Sequence, residues 1–149
     1  MERDNFCFCC GTDNPHGLRL RIERDTATGR VFAECAMPEH YQGYRHTVHG
    51  GLLATLLDEL MAHAAQRAGG GRAATARMEV AFRRPAPVGE RLRVEAEVDK
   101  VSGRRILTRG WIVNSRGERL AEASGLFLAV AGGAGDSTSG PAGAPPAAP

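Results

Sequence analysis

Apolar positions along this chain change period several times, and each change predicts an element. Residues 18–24 read LRLRIER, with apolar and charged side chains in alternation, and residues 31–35 repeat that alternation after a turn at Thr28 and Gly29. A period of two belongs to half-buried strands, so a hairpin is expected here. Over residues 51–68 the period lengthens to that of a helix, with Leu53, Leu56, Leu57, Leu60 and Ala64 on one stripe. Gly69, Gly70 and Gly71 end it. Alternation then returns over residues 73–84, closed by Pro85 and Pro87, and over 90–101, 105–113 and 119–130. Residues 114–117 join the last two as a hairpin turn. Two strands, one long helix and four strands, linked by short turns, imply antiparallel pairing. The expected class is α+β, a single domain with one helix packed on a sheet of five or six antiparallel strands.

Composition narrows this without redirecting it. The chain has 149 residues, 42% of them hydrophobic, which suffices for one core. Residues 132–149, GGAGDSTSGPAGAPPAAP, contain no large apolar side chain and are expected to form a disordered tail behind a domain of residues 1–131. Nineteen basic and 17 acidic side chains leave a net charge of only +2, so no strong field points to nucleic acid or a membrane surface. Neither a signal-peptide pattern nor a membrane-length apolar run is visible, which gives a cytoplasmic expectation. Three of the four cysteines crowd together as Cys7, Cys9 and Cys10, a poor disulfide framework that reads as reduced thiols.

The helix start carries the candidate chemistry. In VHGGLLATLLDE, residues 48–59, His49, Gly50 and Gly51 stand at a helix N-terminus, where unpaired N–H groups and the positive end of the macrodipole can hold a developing oxyanion. Gly50 and Gly51 admit a carbonyl close to the backbone. His49 is either a helix cap or a general base, and the structural role is favoured because no partner for a base is identifiable. Of the two adjacent acids, Asp58 shares a helix face with Ala54, Ala62 and Ala65, where another element can approach. Glu59 shares a face with Thr55, His63 and Gln66, expected to be polar and wet, with a Glu59–His63 pair at one-turn spacing. Asp58 is therefore the candidate base or nucleophile, against the alternative of an ordinary surface acid. It lies roughly 10 Å along the helix from the glycines. One carbonyl cannot touch both, so two copies related by a two-fold axis would have to complete each site.

With HGG and an acid at this spacing, a following strand ending in FRRP, and the stretches CFCCGTDNPHGLRLRI, YQGYRHTVHGGLLATLLDE, TARMEVAFRRPAPVGE and AEASGLFLAV, the chain resembles the hotdog-fold acyl-CoA thioesterases of the phenylacetate-degradation type. The resemblance covers nearly all of residues 1–131. It implies hydrolysis of an acyl-CoA thioester without metal or other cofactor. It also implies a carbonyl-polarising amide at Gly50 with Gly51 beside it, and a catalytic acid at Asp58 contributed by the other subunit. A strand hydroxyl that positions water maps to Thr75, whose plainer reading is a β-branched strand residue. The family's asparagine or glutamine six residues before the histidine falls here on Gly43, with Gln42 next to it. Either Gln42 takes over as a substrate-binding group or the site works without it. A homodimer is implied, with a tetramer of two dimers as the larger assembly.

Other features have competing readings. Cys7 and Cys10 form a C-x-x-C pair that only Cys35, His16 or His40 could complete as a metal site, so free thiols are preferred and no metal is expected. Arg83 and Arg84 could meet CoA phosphates or simply be a solvated strand end. Trp111 reads as sheet packing. Besides hydrolysis, a non-catalytic acyl-CoA binding module is open, with a dehydratase ranked last.

Overall fold

The computed structural model describes residues 5–131. In chain order its elements are β1 (Glu23–Arg24), β2 (Val31–Ala36), a short 3-10 turn (Glu39–Tyr41), α1 (Gly50–Gly69), β3 (Ala73–Phe82), β4 (Arg91–Ser102), β5 (Arg105–Val113) and β6 (Arg119–Ala129). The six strands form one sheet in the order β1-β2-β4-β5-β6-β3, and every pairing is antiparallel.

The period-two reading translates directly into a two-faced sheet. On β4 the inward positions Leu92, Val94 and Ala96 are buried, and on β5 so are Ile106, Thr108, Gly110 and Ile112. They meet the stripe Leu53, Leu56, Leu57, Leu60, Met61 and Ala64 of α1 in a single core that also holds Phe127. The outward positions carry ion pairs instead, such as Arg30–Glu97 and Arg109–Glu97, both at 2.6 Å. A Cβ at Gly110 would lie 3.1 Å from Met61 Cγ, so the bare backbone there lets the helix settle close to the sheet. Helix α1 ends where the glycine run requires: Gly70 takes the left-handed conformation at φ 70° and its N–H donates to Gln66 O.

The first hairpin departs from expectation. Only Glu23 and Arg24 of the alternating LRLRIER run pair with β2. Its earlier residues turn back on the N-terminal segment, Leu18 N–H donating to Phe8 O and Leu20 N–H to Cys9 O, both at 2.8 Å. Arg19 adopts a positive φ of 51°, which no strand interior accommodates. Alternation here reflects Leu20 tucked into the core and its neighbours outside it. The expected tail over 132–149 lies outside the described residues.

Strand β3 occupies one edge of the sheet, paired only with β6. None of its ten residues is buried, although Met78, Val80 and Phe82 are apolar. Met78 and Val80 pack partly against the core and Phe82 is exposed, so this edge carries free backbone groups beside half-covered apolar side chains, a surface suited to being covered.

Candidate functional site

The loop before α1 is pinned at several points. His49 N–H donates to Tyr41 O at 2.9 Å and Val48 N–H to Ala86 O at 2.8 Å, which fixes the first turn of the helix against the segment after β3. His49 is the N-cap, and its Nδ1 accepts from Gly51 N–H at 2.9 Å. Accepting there keeps Nδ1 unprotonated, so the ring serves the backbone. A Cβ on Gly51 would lie 3.0 Å from that Nδ1, so Gly51 is small to admit the cap, and its amide is already used. Gly50 N–H, by contrast, has no acceptor among the described residues. It borders an open cleft of about 310 Å³ lined by Tyr44, Val48, Leu53, Phe82 and Arg84 among others. The Phe82 ring lies 3.4 Å from where a Gly50 Cβ would be. Sequence reasoning misses this floor, although the FRRP end of β3 carries its signal.

At the other end of β3 the acid finds its partner. Thr75 Oγ1 donates to Asp58 Oδ1 at 2.8 Å, leaving Oδ2 of the half-buried carboxylate without a partner among the described residues. A β-bulge produces this contact. Thr75 pairs with Phe127 and Arg77 with Leu126, so Ala76 is the extra residue in β3. Directly opposed residues share a sheet face, which puts Thr75 on the helix side with Met78, Val80 and Phe82, although unbroken alternation would have pointed it outward. Bulges re-aim side chains in this way.

The remaining candidates are placed as follows. Gln42 Oε1 accepts from His46 N–H at 3.0 Å, holding the loop. The backbone at Gly43 passes so close to His49 that a Cβ would lie 3.2 Å from its Cα. Arg83 and Arg84 both line the Gly50 cleft, and Arg83 is also tied to Glu122 at 2.6 Å. Trp111 donates to Glu95 at 3.1 Å and lies beneath Arg30 and Arg119 on the outer face of the sheet, as packing.

The flank of α1 expected to be wet is covered. His63 is 6% exposed and its Nε2 is 3.1 Å from Glu59 Oε1, the one-turn pair anticipated from spacing. Cys7, Cys9 and Cys10 cover it. Burial and the Glu59 carboxylate push the Cys9 thiol up to about 12, and the same two causes raise Cys10 further.

Gly50 and Asp58 are eight residues apart on one rigid helix, about 12 Å. Within one chain they do not share a substrate carbonyl.

Comparison with known proteins agrees with this architecture. Residues 46–121, just over half of the chain, match the model of the thioesterase superfamily. The chain is 31% identical over 123 residues to acyl-coenzyme A thioesterase THEM4 of Bos taurus, covering 81% of this chain and half the length of that relative. Among solved structures, a thioesterase superfamily protein superposes with a TM-score of 0.77 at 30% identity, over 84% of this chain and 61% of the other. A mutant form of the phenylacetic acid degradation protein PaaI from Thermus thermophilus gives 0.67 at 22% identity, over 74% and 93%, a likeness of fold. No helix among the described residues is long and apolar enough to cross a membrane. A long helix on a six-stranded antiparallel sheet, with the helix start and the strands around it matching the family model, makes this chain a member of the thioesterase superfamily.

Proposed function

We propose that the chain hydrolyses acyl-CoA thioesters to a free acid and CoA, at two equivalent sites that each require two copies. The observation that carries this reading is the pair of half-sites on β3: an unsatisfied Gly50 amide by Phe82 at one end, and the Asp58–Thr75 pair at the other. The relative named an acyl-coenzyme A thioesterase supports the substrate class. A two-fold axis near Met78 or Glu79, pairing β3 with its copy, sets Asp58 and Thr75 of one protomer within about a residue's step of the level of Gly50 and Phe82 of its partner. The free edge of β3, with its half-covered Met78 and Val80 and exposed Phe82, supports that assembly. A tetramer of two such dimers belongs to the same reading.

In this site the Gly50 N–H polarises the thioester carbonyl, helped by the helix dipole. Asp58, from the other protomer, acts at the carbonyl carbon. As base, it takes a proton from water through Oδ2 while that water attacks, and the CoA thiolate leaves. As nucleophile, it would form a mixed anhydride that water then opens. Thr75 holds Oδ1 and sets the carboxylate's orientation. Of the two strand-end arginines on the cleft wall, Arg84 is the one not held by Glu122, and it is the better candidate for the phosphates of CoA. Four unpaired cysteines suit a reducing, cytoplasmic compartment.

A panel of short, long and aromatic acyl-CoAs, followed by thiol release, tests the reading. Turnover of at least one class is expected. Tight acyl-CoA binding by calorimetry with no turnover of any would instead identify a binding module. Thr75→Ala is expected to lower kcat roughly tenfold or more with KM little changed, the mark of a group that orients Asp58 and leaves ground-state binding alone. An unchanged kcat would remove Thr75 from the site.

A further inference from the structure

Away from the Gly50 and Asp58 half-sites, the N-terminal segment presses a second set of reactive groups onto α1. Cys7 Sγ lies 3.9 Å from both Glu59 Oε1 and Oε2. His63 Nε2 lies 3.1 Å from Glu59 Oε1. One ligand atom from each of Cys7, Cys10 and Glu59 falls within 4.8 Å of the others, and no other group of three such side chains is that tight among the described residues. Cys7, Cys10 and Glu59 are thus within reach of one ion, and His63, outside that group of three, meets it through Glu59. Zn–S bonds of about 2.3 Å and Zn–O or Zn–N bonds of about 2.0–2.1 Å, at tetrahedral angles, separate sulfur from oxygen by about 3.6 Å and nitrogen from oxygen by about 3.3 Å. Observed values of 3.9 and 3.1 Å bracket them within a few tenths.

The geometry points to a structural site for a zinc-class divalent cation, held by Cys7 Sγ, Cys10 Sγ and one Glu59 carboxylate oxygen, with His63, whose Nε2 meets that carboxylate from outside this group of three, turning in as the fourth ligand. Two thiolates with an imidazole and a carboxylate select such a cation over calcium or magnesium. The C-x-x-C pair supplies half the shell, as such pairs do in small zinc sites. The other half comes from one turn of helix, Glu59 and His63, and not from Cys35, His16 or His40, which spacing alone offers. With His63 turned in, four protein ligands leave no open position, so the ion acts as a staple and takes no part in hydrolysis. On binding, the two thiols lose their protons to solvent. The staple ties residues 7–10 to α1 at the position next to Asp58, which steadies that side chain's helix without touching substrate. This inference does not depend on the hydrolytic reading.

The full chain, reduced and stripped with chelator, can be titrated with Co²⁺ as an optical probe. One Co²⁺ per chain is expected, with thiolate-to-cobalt charge-transfer absorption and the strong visible bands of a tetrahedral site, both displaced by Zn²⁺. Cys7→Ser and Cys10→Ser should each weaken binding beyond the roughly 10–100-fold typical of an outer-shell change. Glu59→Gln should shift the visible bands. Cys9→Ser, adjacent in sequence but outside the shell, should keep the full spectrum. The wild-type titration decides the matter by itself if a variant fails to fold: no stoichiometric uptake, or a weak octahedral spectrum without charge transfer, overturns the site. Equal loss in Cys9→Ser and Cys7→Ser overturns it as well, since any clustered thiols would then suffice.

Discussion

Asp58→Asn is expected to lower kcat for the preferred acyl-CoA by about 10²–10⁴-fold, roughly 3–5 kcal/mol of transition-state stabilisation, with KM nearly unchanged. The substitution keeps shape and keeps an oxygen that can accept from Thr75 Oγ1, the 2.8 Å contact that orients the side chain. What it removes is the negative charge, and with it both the proton acceptor and the nucleophile. Steady-state thiol release gives kcat and KM, and circular dichroism establishes that the helix is intact. A variant that still turns over within a few-fold of wild type would exclude Asp58 from the chemistry. Should Asp58 be the nucleophile and water open the anhydride at the Asp58 carbonyl, one turnover in ¹⁸O-labelled water would leave label in the protein carboxylate. Base catalysis would leave it only in the product acid.

The second large effect belongs to a backbone atom. Gly50 is the first residue of α1 and follows His49 at φ −58°, ψ 131°. Proline is well tolerated at the first helical position, and an extended residue before it is what proline requires. Gly50→Pro therefore deletes a single N–H with little strain, and kcat is expected to fall about 10²–10³-fold, the usual loss for one oxyanion donor. Mixing this variant with Asp58→Asn then tests shared sites. After random exchange, half the dimers are mixed and each holds one site with both an intact amide and an intact acid, so activity should recover to about a quarter of wild type. No recovery after demonstrated exchange would mean that each chain works alone, and the separation of about 12 Å along the helix would then need another explanation.

Much of this is legible in one dimension because it depends on local periodicity. The α1 stripe, its glycine stop and strands β3 to β6 follow from burial patterns that each segment carries by itself. The Glu59–His63 pair follows from one-turn spacing in the same way. Periodicity misleads where an alternating pattern has a different cause. LRLRIER alternates because Leu20 anchors a looping segment, and hydropathy does not distinguish an anchored loop from a strand. The flank of Glu59 and His63 reads as wet because nothing local announces that residues 7–10, some 50 positions earlier, will fold over it.

The amino-acid order by itself determined the elements, the one polarised helix start and the acid two turns along it, since these are properties of contiguous residues. Only the tertiary structure decided which groups meet. A single extra residue at Ala76 switches Thr75 to the helix side of β3 and onto Asp58. The His49 ring takes the Gly51 amide and leaves that of Gly50 unsatisfied. The N-terminal thiols close on Glu59. Each is a contact between segments far apart in the chain or a choice between two adjacent donors, set by bulge register, cap geometry and packing, which periodicity does not encode.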